Sequence, residues 1–404
     1  NTKTDKVLNP SLLNFPIPDN VPPKLIRLAV YDRCLSTYSQ SPKLFALKKV
    51  NGKYTTPSPV IIANTDKVSF GISAVDSYTG SSNPNGIYEA VIYDDGVAVS
   101  GFQLDNISYD ETRYLNAHID YKLRDGGGPF AEHLSRLPGY PEGNYKDFKS
   151  DGAINLEDDS AHQIKVEVKD AYGNLSVLQF EVRRGHINDK YKQDRSVQKF
   201  SPGFVNVFER EDIQVILGEN DLYDSLNFVY AKQNSADPHA VSALHSVHNA
   251  LVPVHGYYTV RLKADRFLQN IADNKIVMQR PWGSKMDVVK AEREGEWFTG
   301  KFREFGNFQL LVDDSPPVIS AIGISEGSNL SRSSQIIFIV TDNLKDIKNF
   351  RAELDGKWLR FTNDKGKSFI YKFDEMCPPG NHELKVSVED EAGNVAAKTF
   401  HFKR

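Results

Sequence analysis

The chain has 404 residues, of which 40% are hydrophobic, 25% charged and 11% aromatic, and its formal net charge is −4. This is the composition of an ordinary globular protein, and the length predicts two to four domains rather than one core. The slight negative charge argues against nucleic acid or anionic lipid as partners. No apolar run reaches the roughly 18 residues that a membrane span requires.

The first predicted module covers residues 20–185 and opens with Pro22-Pro23, a pair that favours extended backbone before a first strand. Alternating strands are predicted at 25–31, 44–50, 60–63, 68–74, 88–93 and 97–104. The module closes with a hairpin whose turn reads Asp-x-x-Gly-Asn, from Asp170 to Asn174. Short strands separated by such turn signals are typical of an immunoglobulin-like β-sandwich.

An insertion at about 106–159 accounts for most of the unusual length of this module. It contains a Gly126–Gly128 break, a helix predicted at 130–137, and six aromatic residues: Tyr109, Tyr114, Tyr121, Phe130, Tyr140 and Tyr145. Aromatic insertions on a rigid sandwich commonly carry recognition, so these six residues form the candidate binding surface. The alternative interpretation is a long crossover whose aromatic side chains pack against the sheet.

Residues 198–313 predict a second, different β-sandwich, which follows a charged connector at 183–199. Its strands are predicted at 205–208, 213–217, 257–263, 275–279, 286–289, 297–302 and 306–312. No Asp-x-x-Gly-Asn turn closes this module, which distinguishes it from the first. Its last strand runs directly to the next Pro-Pro pair and therefore predicts a stiff joint.

The last predicted module, residues 314–404, repeats the plan of the first. It opens near Pro316-Pro317 and closes with the turn Asp390 to Asn394. The closing hairpins lie 220 residues apart and the Pro-Pro pairs 294, so the first module carries about 74 extra residues. Further strands are predicted at 335–341, 349–354, 357–361 and 368–373. The whole chain is thus predicted to be all-β, with three consecutive immunoglobulin-like β-sandwich modules.

Motifs for catalysis are absent: there is no His-Glu-x-x-His, no nucleophile elbow and no phosphate-binding Gly-rich loop. Four histidines, His239, His245, His248 and His255, could supply zinc ligands, although no acidic residue lies among them. Carboxylates at 151–159 and 342–346 could hold calcium or form solvated turns. Cys34 and Cys377 fall in different modules and predict two separate thiols, whereas a disulfide between them would require the first and last modules to touch. No catalytic residue, metal ligand or cofactor is therefore assigned to this chain.

The first thirteen residues carry a family likeness through Asn9-Pro10 and Leu12-Leu13. They resemble the segment that follows the catalytic domain in M23-type (lysostaphin-like, LytM-like) zinc metallopeptidases. Residues 70–74, 80–90, 254–255 and 305–311 resemble the long C-terminal region of such enzymes in Bacteroidetes-type bacteria. The resemblance implies that residues 1–19 are a linker after a missing peptidase domain, and that zinc belongs to that domain alone.

The same resemblance implies a function for the chain. It would be the non-catalytic scaffold or binding region of an envelope peptidase, in the periplasm or on the surface of a Gram-negative bacterium. It would position the peptidase domain on peptidoglycan, or on another envelope glycan or protein. A stand-alone adhesin or glycan-binding module that uses the insertion aromatics as its platform is the alternative.

Overall fold

The computed structural model describes residues 5–13, 18–141, 143–186, 198–265, 271–283, 285–363 and 368–404. This part of the chain is all-β and forms three successive β-sandwiches, as predicted. Its helices are the 3₁₀ turns Pro10–Leu12, Thr37–Ser39, Thr112–Tyr114 and Asp273–Lys275 and the α-helices Leu115–His118 and Tyr121–Asp125. None of these helices has the length and apolar character needed to cross a membrane.

Two sheets form the first module. The smaller contains, in order, Glu132–His133, Lys67–Val75, Lys24–Asp32 and Lys43–Ala46, with Ile154–Asn155 also paired to Lys67–Val75. The larger contains, in order, Tyr145–Asp147, Val97–Gln103, Glu89–Asp94, Ala161–Lys169, Leu175–Arg184, Lys53–Thr55 and Lys48–Val50, with Val60–Ala63 parallel to Leu175–Arg184. The sheets meet in the core, where the ring centroids of Phe70 and Phe180 lie 5.1 Å apart.

Residues 5–13, which the sequence predicts as part of a linker, lie against the first module. Lys6–Leu8 pairs antiparallel with Asn106–Ser108. The backbone N–H of Asn9 donates to the carbonyl of Asp105 at 3.1 Å. This segment therefore extends the surface of the first module.

The middle module has two five-stranded sheets and one short strand pair. One sheet contains, in order, Asn206–Arg210, Ile213–Leu217, Pro253–Lys263, Trp297–Glu304 and Glu292–Glu294. The other contains, in order, Tyr230–Gln233, Leu244–Val247, Gly306–Val312, Ile276–Trp282 and Lys285–Lys290. Lys199–Phe200 pairs with Leu226–Asn227. The rings of Phe302 and Phe308, one from each sheet, meet with their centroids 4.8 Å apart.

The last module again consists of two sheets. One contains, in order, Val318–Ile322, Gln335–Thr341, Ser368–Lys372 and Thr362–Asn363. The other contains, in order, Ser328–Asn329, Val395–Lys403, Asn381–Glu389, Asn349–Leu354 and Lys357–Trp358. Asp355 and Gly356 have φ angles of 51° and 77°, as the predicted two-residue hairpin turn requires.

The closing turns of the first and last modules have the same hydrogen bonds. Asn174 donates its backbone N–H and its side-chain amide to the Asp170 carboxylate at 2.8 and 2.7 Å. The same amide also donates to the backbone carbonyl of Asp19 at 3.3 Å. Asn394 makes the equivalent bonds, to Asp390 and to the carbonyl of Asp313. Asp170 and Asp390 are therefore turn-building residues, as predicted, and each Asn ties the turn to the start of its module.

The prediction of a helix at 130–137 is wrong. Glu132–His133 is instead a short strand paired with Ile72 and Gly71. The segment 131–135 is buried without interruption, so it has no polar face for a helix to expose to solvent. Gly71 allows this close pairing because it has no Cβ atom, which would lie only 3.3 Å from the carbonyl oxygen of Glu132. Tertiary pairing thus overrides the local helical pattern.

The hydrophobic core crosses the boundary between the first and middle modules. One continuous cluster of buried side chains contains Phe70 and Leu137 together with Leu222 and Phe308. The last module has its own core, around Phe338. A small third cluster joins Ala392, in the last closing turn, to Ala240, Val277 and Leu311 of the middle module. The first two modules therefore form one packed unit.

Candidate functional site

The insertion of the first module packs on the middle module through aromatic rings. Tyr114 stacks on His255, with ring centroids 4.1 Å apart and planes inclined by 22°. The Tyr114 ring also meets Tyr223 and Tyr140 edge-on, at 5.9 and 5.1 Å. Aromatic pairs in these arrangements contribute about 0.5–1.5 kcal/mol each beyond the area they bury. The insertion therefore forms part of the junction between the two modules.

The six predicted surface aromatics separate into three groups. Tyr140 and Tyr145 are each only 4% exposed, so their assignment to a binding surface is wrong. Their rings complete the core, and the Tyr145 hydroxyl donates to the His133 carbonyl at 2.8 Å. Tyr114 and Tyr121 are half-buried. Tyr109 and Phe130 are exposed by 60% and 39% and stay candidates for a surface contact.

A buried ion pair fixes the same junction. The Asp224 carboxylate accepts from Arg33 Nη1 at 3.1 Å, and their side chains are 5% and 7% exposed. The same carboxylate oxygen accepts from the backbone N–H and the hydroxyl of Thr37, at 3.0 and 3.1 Å. These bonds offset the cost of removing both charges from water. Asp224 belongs to the middle module, and its partners belong to the first.

Backbone atoms of the two modules also approach closely. The side-chain guanidinium of Arg113 donates to the backbone carbonyls of Val254 and Arg303 at 3.0 and 3.2 Å. Gly139 N–H donates to the Tyr223 carbonyl at 2.8 Å. A Cβ atom on Gly139 would lie 2.0 Å from the Leu222 carbonyl, so only glycine fits there. The sequence offers no motif that marks this glycine.

Two of the four histidines considered as zinc ligands share hydrogen bonds with separate tyrosines. His245 lies on the strand Leu244–Val247 and shares a 2.9 Å hydrogen bond with the Tyr230 hydroxyl. His255 shares one of 3.0 Å with the Tyr223 hydroxyl. The turn of helix that would bring His245 and His248 together is not formed. Among the described residues, the groups of three metal-capable side chains include none of the four.

Burial of His245 predicts a loss of stability in acid. Desolvation lowers the pKa of this imidazole to about 4, and its Nε2 has no hydrogen-bond partner. The Asp212 carboxylate opposes this shift and Lys232 reinforces it. Since the folded pKa lies below the unfolded value of about 6.5, the contribution is fully present above pH 6.5 and is lost between pH 6.5 and 4.

The variant His245→Phe isolates this contribution. Between pH 7 and 5, we expect the free energy of unfolding of the wild type to fall by about 2 kcal/mol more than that of the variant. Urea unfolding followed by tryptophan fluorescence measures the difference. The exposed His239 provides the control, since His239→Asn should keep the wild-type pH dependence. Equal slopes for wild type and His245→Phe would contradict the prediction.

The two acidic segments considered for calcium differ in their environment. In the first segment, Asp158 lies 3.3 Å from His162 Nε2 and Asp159 lies 3.0 Å from Arg184. These are solvated turn carboxylates with ordinary partners. In the second, Asp342 and Asp346 are half-buried and line a cavity of about 550 Å³. Burial, and then the nearby Glu391 carboxylate, raise the pKa of Asp346 to about 6.

The internal repeat extends further than the sequence motif indicates. His162 Nδ1 lies 3.0 Å from Asp94, and His382 Nδ1 lies 2.7 Å from Asp355. Both histidines are at least nine-tenths buried and follow the 220-residue spacing of the closing hairpins. That spacing is the signal that would have identified them. Each histidine supports a hairpin turn, so this pair is structural.

A cavity of about 360 Å³ opens on the first module. Tyr78, Tyr88 and Tyr172 line it, together with amide and carboxylate groups that include Asn85 and Asp76. The rings of Tyr78 and Tyr172 meet edge-on, with their centroids 5.9 Å apart. Aromatic faces next to hydrogen-bonding groups are the chemistry that binds sugar rings. The sequence interpretation missed this cavity because its tyrosines come from separate strands and turns.

Comparison with known protein families finds a match for one part of the chain. Residues 198–313 match the model of the Zu5-like domain family. This match covers the middle module alone. No curated protein matches the sequence.

Several solved structures align with this chain at low sequence identity and low TM-score. The fibronectin(III)-like modules of Clostridium thermocellum CbhA are 8% identical over 86% of this chain and 88% of that chain, with a TM-score of 0.17. The Bacteroides ovatus glucan-utilisation protein SGBP-B is 12% identical over 96% and 71%, with a TM-score of 0.17. The endo-β-1,4-mannanase of Thermotoga petrophila is 14% identical, but the match covers only 22% of this chain and 20% of that chain, with a TM-score of 0.20.

Proposed function

We propose that this chain is a non-catalytic scaffold of the bacterial cell envelope that holds an attached domain in a fixed position. The observation that carries this proposal is the continuous core shared by the first and middle modules. Modules joined by exposed linkers change orientation easily, whereas a large apolar interface fixes their geometry. The aromatic insertion serves this purpose by packing on the middle module.

The attached domain would be an M23-type zinc peptidase, because residues 1–13 resemble the segment that follows such domains. That peptidase domain would bind the zinc, and no residue of the present chain is proposed as a ligand. The scaffold would then direct the peptidase to peptidoglycan, in the periplasm or at the surface of a Gram-negative bacterium. An envelope protein or another glycan is the alternative target.

Small-angle X-ray scattering and a hydrolysis assay test the scaffold. We expect one fixed arrangement of the first and middle modules to fit the scattering curve. We also expect the purified chain to release no soluble fragments from peptidoglycan. A curve that requires many module orientations would contradict the rigid scaffold. Hydrolysis that a chelator abolishes would contradict the non-catalytic assignment.

A glycan-binding module is the second candidate function, and the tyrosine-lined cavity favours it. Tyr172 is 37% exposed at this cavity, so its ring is open to a ligand. We expect Tyr172→Ala to weaken co-sedimentation with peptidoglycan or another envelope glycan by about fivefold. Tyr257, which is 65% exposed on the middle module, gives the control Tyr257→Ala. Equal loss in both variants, or none in either, would reject the cavity as the glycan site.

A further inference from the structure

Three carboxylates from distant parts of the sequence meet at one end of the first module. Asp19 precedes the Pro-Pro pair, Asp76 follows the strand Lys67–Val75, and Asp170 opens the closing turn. One oxygen of each lies within 4.8 Å of the other two. Asp76 and Asp170 are only 6% and 3% exposed. Three carboxylates are therefore held together, two of them buried and the third, Asp19, half-buried.

The hydrogen bonds of this cluster leave two oxygens unsatisfied. Both Asp170 oxygens accept from Asn174, and Asp19 Oδ1 accepts from Thr79 and Val21. Asp19 Oδ2 and Asp76 Oδ1 are buried without any hydrogen-bond partner. Leaving a charged acceptor unsatisfied in a buried position is costly. The two oxygens belong to neighbouring carboxylates, so one positively charged group would satisfy both.

The protein supplies no such group among the described residues. Neither of the two unsatisfied oxygens accepts a hydrogen bond from a lysine, arginine or histidine of the described chain. At the corresponding end of the last module Asp342 Oδ1 is likewise buried without a partner, but a lysine lies nearby. There Lys275 of the middle module donates to Asn394, the counterpart of Asn174. The first module thus has the carboxylates without the neighbouring lysine.

We propose that Asp19, Asp76 and Asp170 bind one calcium ion. Calcium takes oxygen ligands at about 2.3–2.6 Å, so two ligands on opposite sides of the ion are about 5 Å apart, which accommodates the spacing of these oxygens. All the donors are oxygen atoms, which argues against zinc, because zinc prefers nitrogen and sulfur ligands. Magnesium requires shorter bonds and a stricter octahedron. The ion would join the start of the module to its closing turn, a role that goes beyond the proposed scaffold function.

Titration calorimetry of the full chain with calcium chloride, after treatment with chelator, tests the site. We expect one calcium ion per chain and a melting temperature that rises by roughly 5 °C at saturating calcium. Asp76→Asn should bind calcium about 100-fold more weakly or not at all. Asp342→Asn is the matched control, since Asp342 follows the corresponding strand of the last module, and it should bind like the wild type.

Two further measurements separate the metal site from a folding defect. Without calcium, Asp76→Asn should melt at or above the wild-type temperature, because it removes one of three repelling charges. Tyr172 is two residues from Asp170, so terbium bound to the wild type should show tyrosine-sensitised luminescence that calcium displaces. Absence of calcium binding by the wild type, or unchanged binding by Asp76→Asn, would overturn the proposal. Neither result depends on glycan binding or on module rigidity.

Discussion

Replacing Gly139 with alanine should separate the first module from the middle module. The added Cβ would lie 2.0 Å from the Leu222 carbonyl and 2.8 Å from the Tyr223 Cα, both of which are backbone atoms. The two backbones must move apart, and the hydrogen bond from Gly139 to Tyr223 is then lost. We expect a destabilisation of at least about 3 kcal/mol, at the upper end of overpacking effects. Hydrogen exchange resolved by peptide would show lost protection at 111–118, 138–141 and 222–224.

Gly86 provides the matched control for this experiment. It lies in the same module, with open space around the position of a Cβ and no requirement for positive φ. Gly86→Ala should therefore leave stability within about 0.5 kcal/mol of the wild type or raise it slightly. If Gly139→Ala behaved like Gly86→Ala, the close approach of the two modules would be disproved.

The second large effect is expected from Asp224→Ala. This change leaves the guanidinium of Arg33 buried without its counter-charge and removes the acceptor of Thr37. Breaking one side of a buried pair costs about 3–5 kcal/mol, because the remaining charge cannot return to water. Urea unfolding should show this loss in the transition shared by the first and middle modules.

An exposed ion pair gives the comparison. Asp273 contacts Arg293 at 2.7 Å, with the two side chains 56% and 42% exposed. Asp273→Ala should cost no more than about 1 kcal/mol. The double variant Arg33→Leu with Asp224→Leu should recover most of the loss, since an apolar pair leaves no buried charge. A loss of equal size in Asp224→Ala and Asp273→Ala would show that burial of the first pair contributes nothing.

Local patterns in the sequence predicted the individual sandwiches well. The Asp-x-x-Gly-Asn turns specify their own geometry, because Gly173 and Gly393 adopt φ angles of 87° and 73° that suit glycine. Asp355-Gly356 likewise specifies a hairpin within two residues. Such signals are readable because every interacting group lies a few positions away in the chain.

Contacts between modules could not be predicted from such local patterns. Aromatic composition led to the prediction of a surface at the insertion, whereas Tyr140 and Tyr145 are buried in a core that another module completes. Arg33 and Asp224 are 191 residues apart and have no local pattern in common. The calcium-binding cluster was missed for the same reason, because folding alone brings Asp19, Asp76 and Asp170 together.

The side-chain amides of Asn174 and Asn394 bind backbone carbonyls at the entrance of their modules, and this has a consequence for recombination. A backbone carbonyl is present whatever amino acid occupies the position, so the contact does not depend on the sequence that precedes the module. In this chain one copy follows residues 5–13 and the other follows the middle module, yet both close in the same way. The hydrogen bonds of this closure therefore place no requirement on the amino acid that precedes the module.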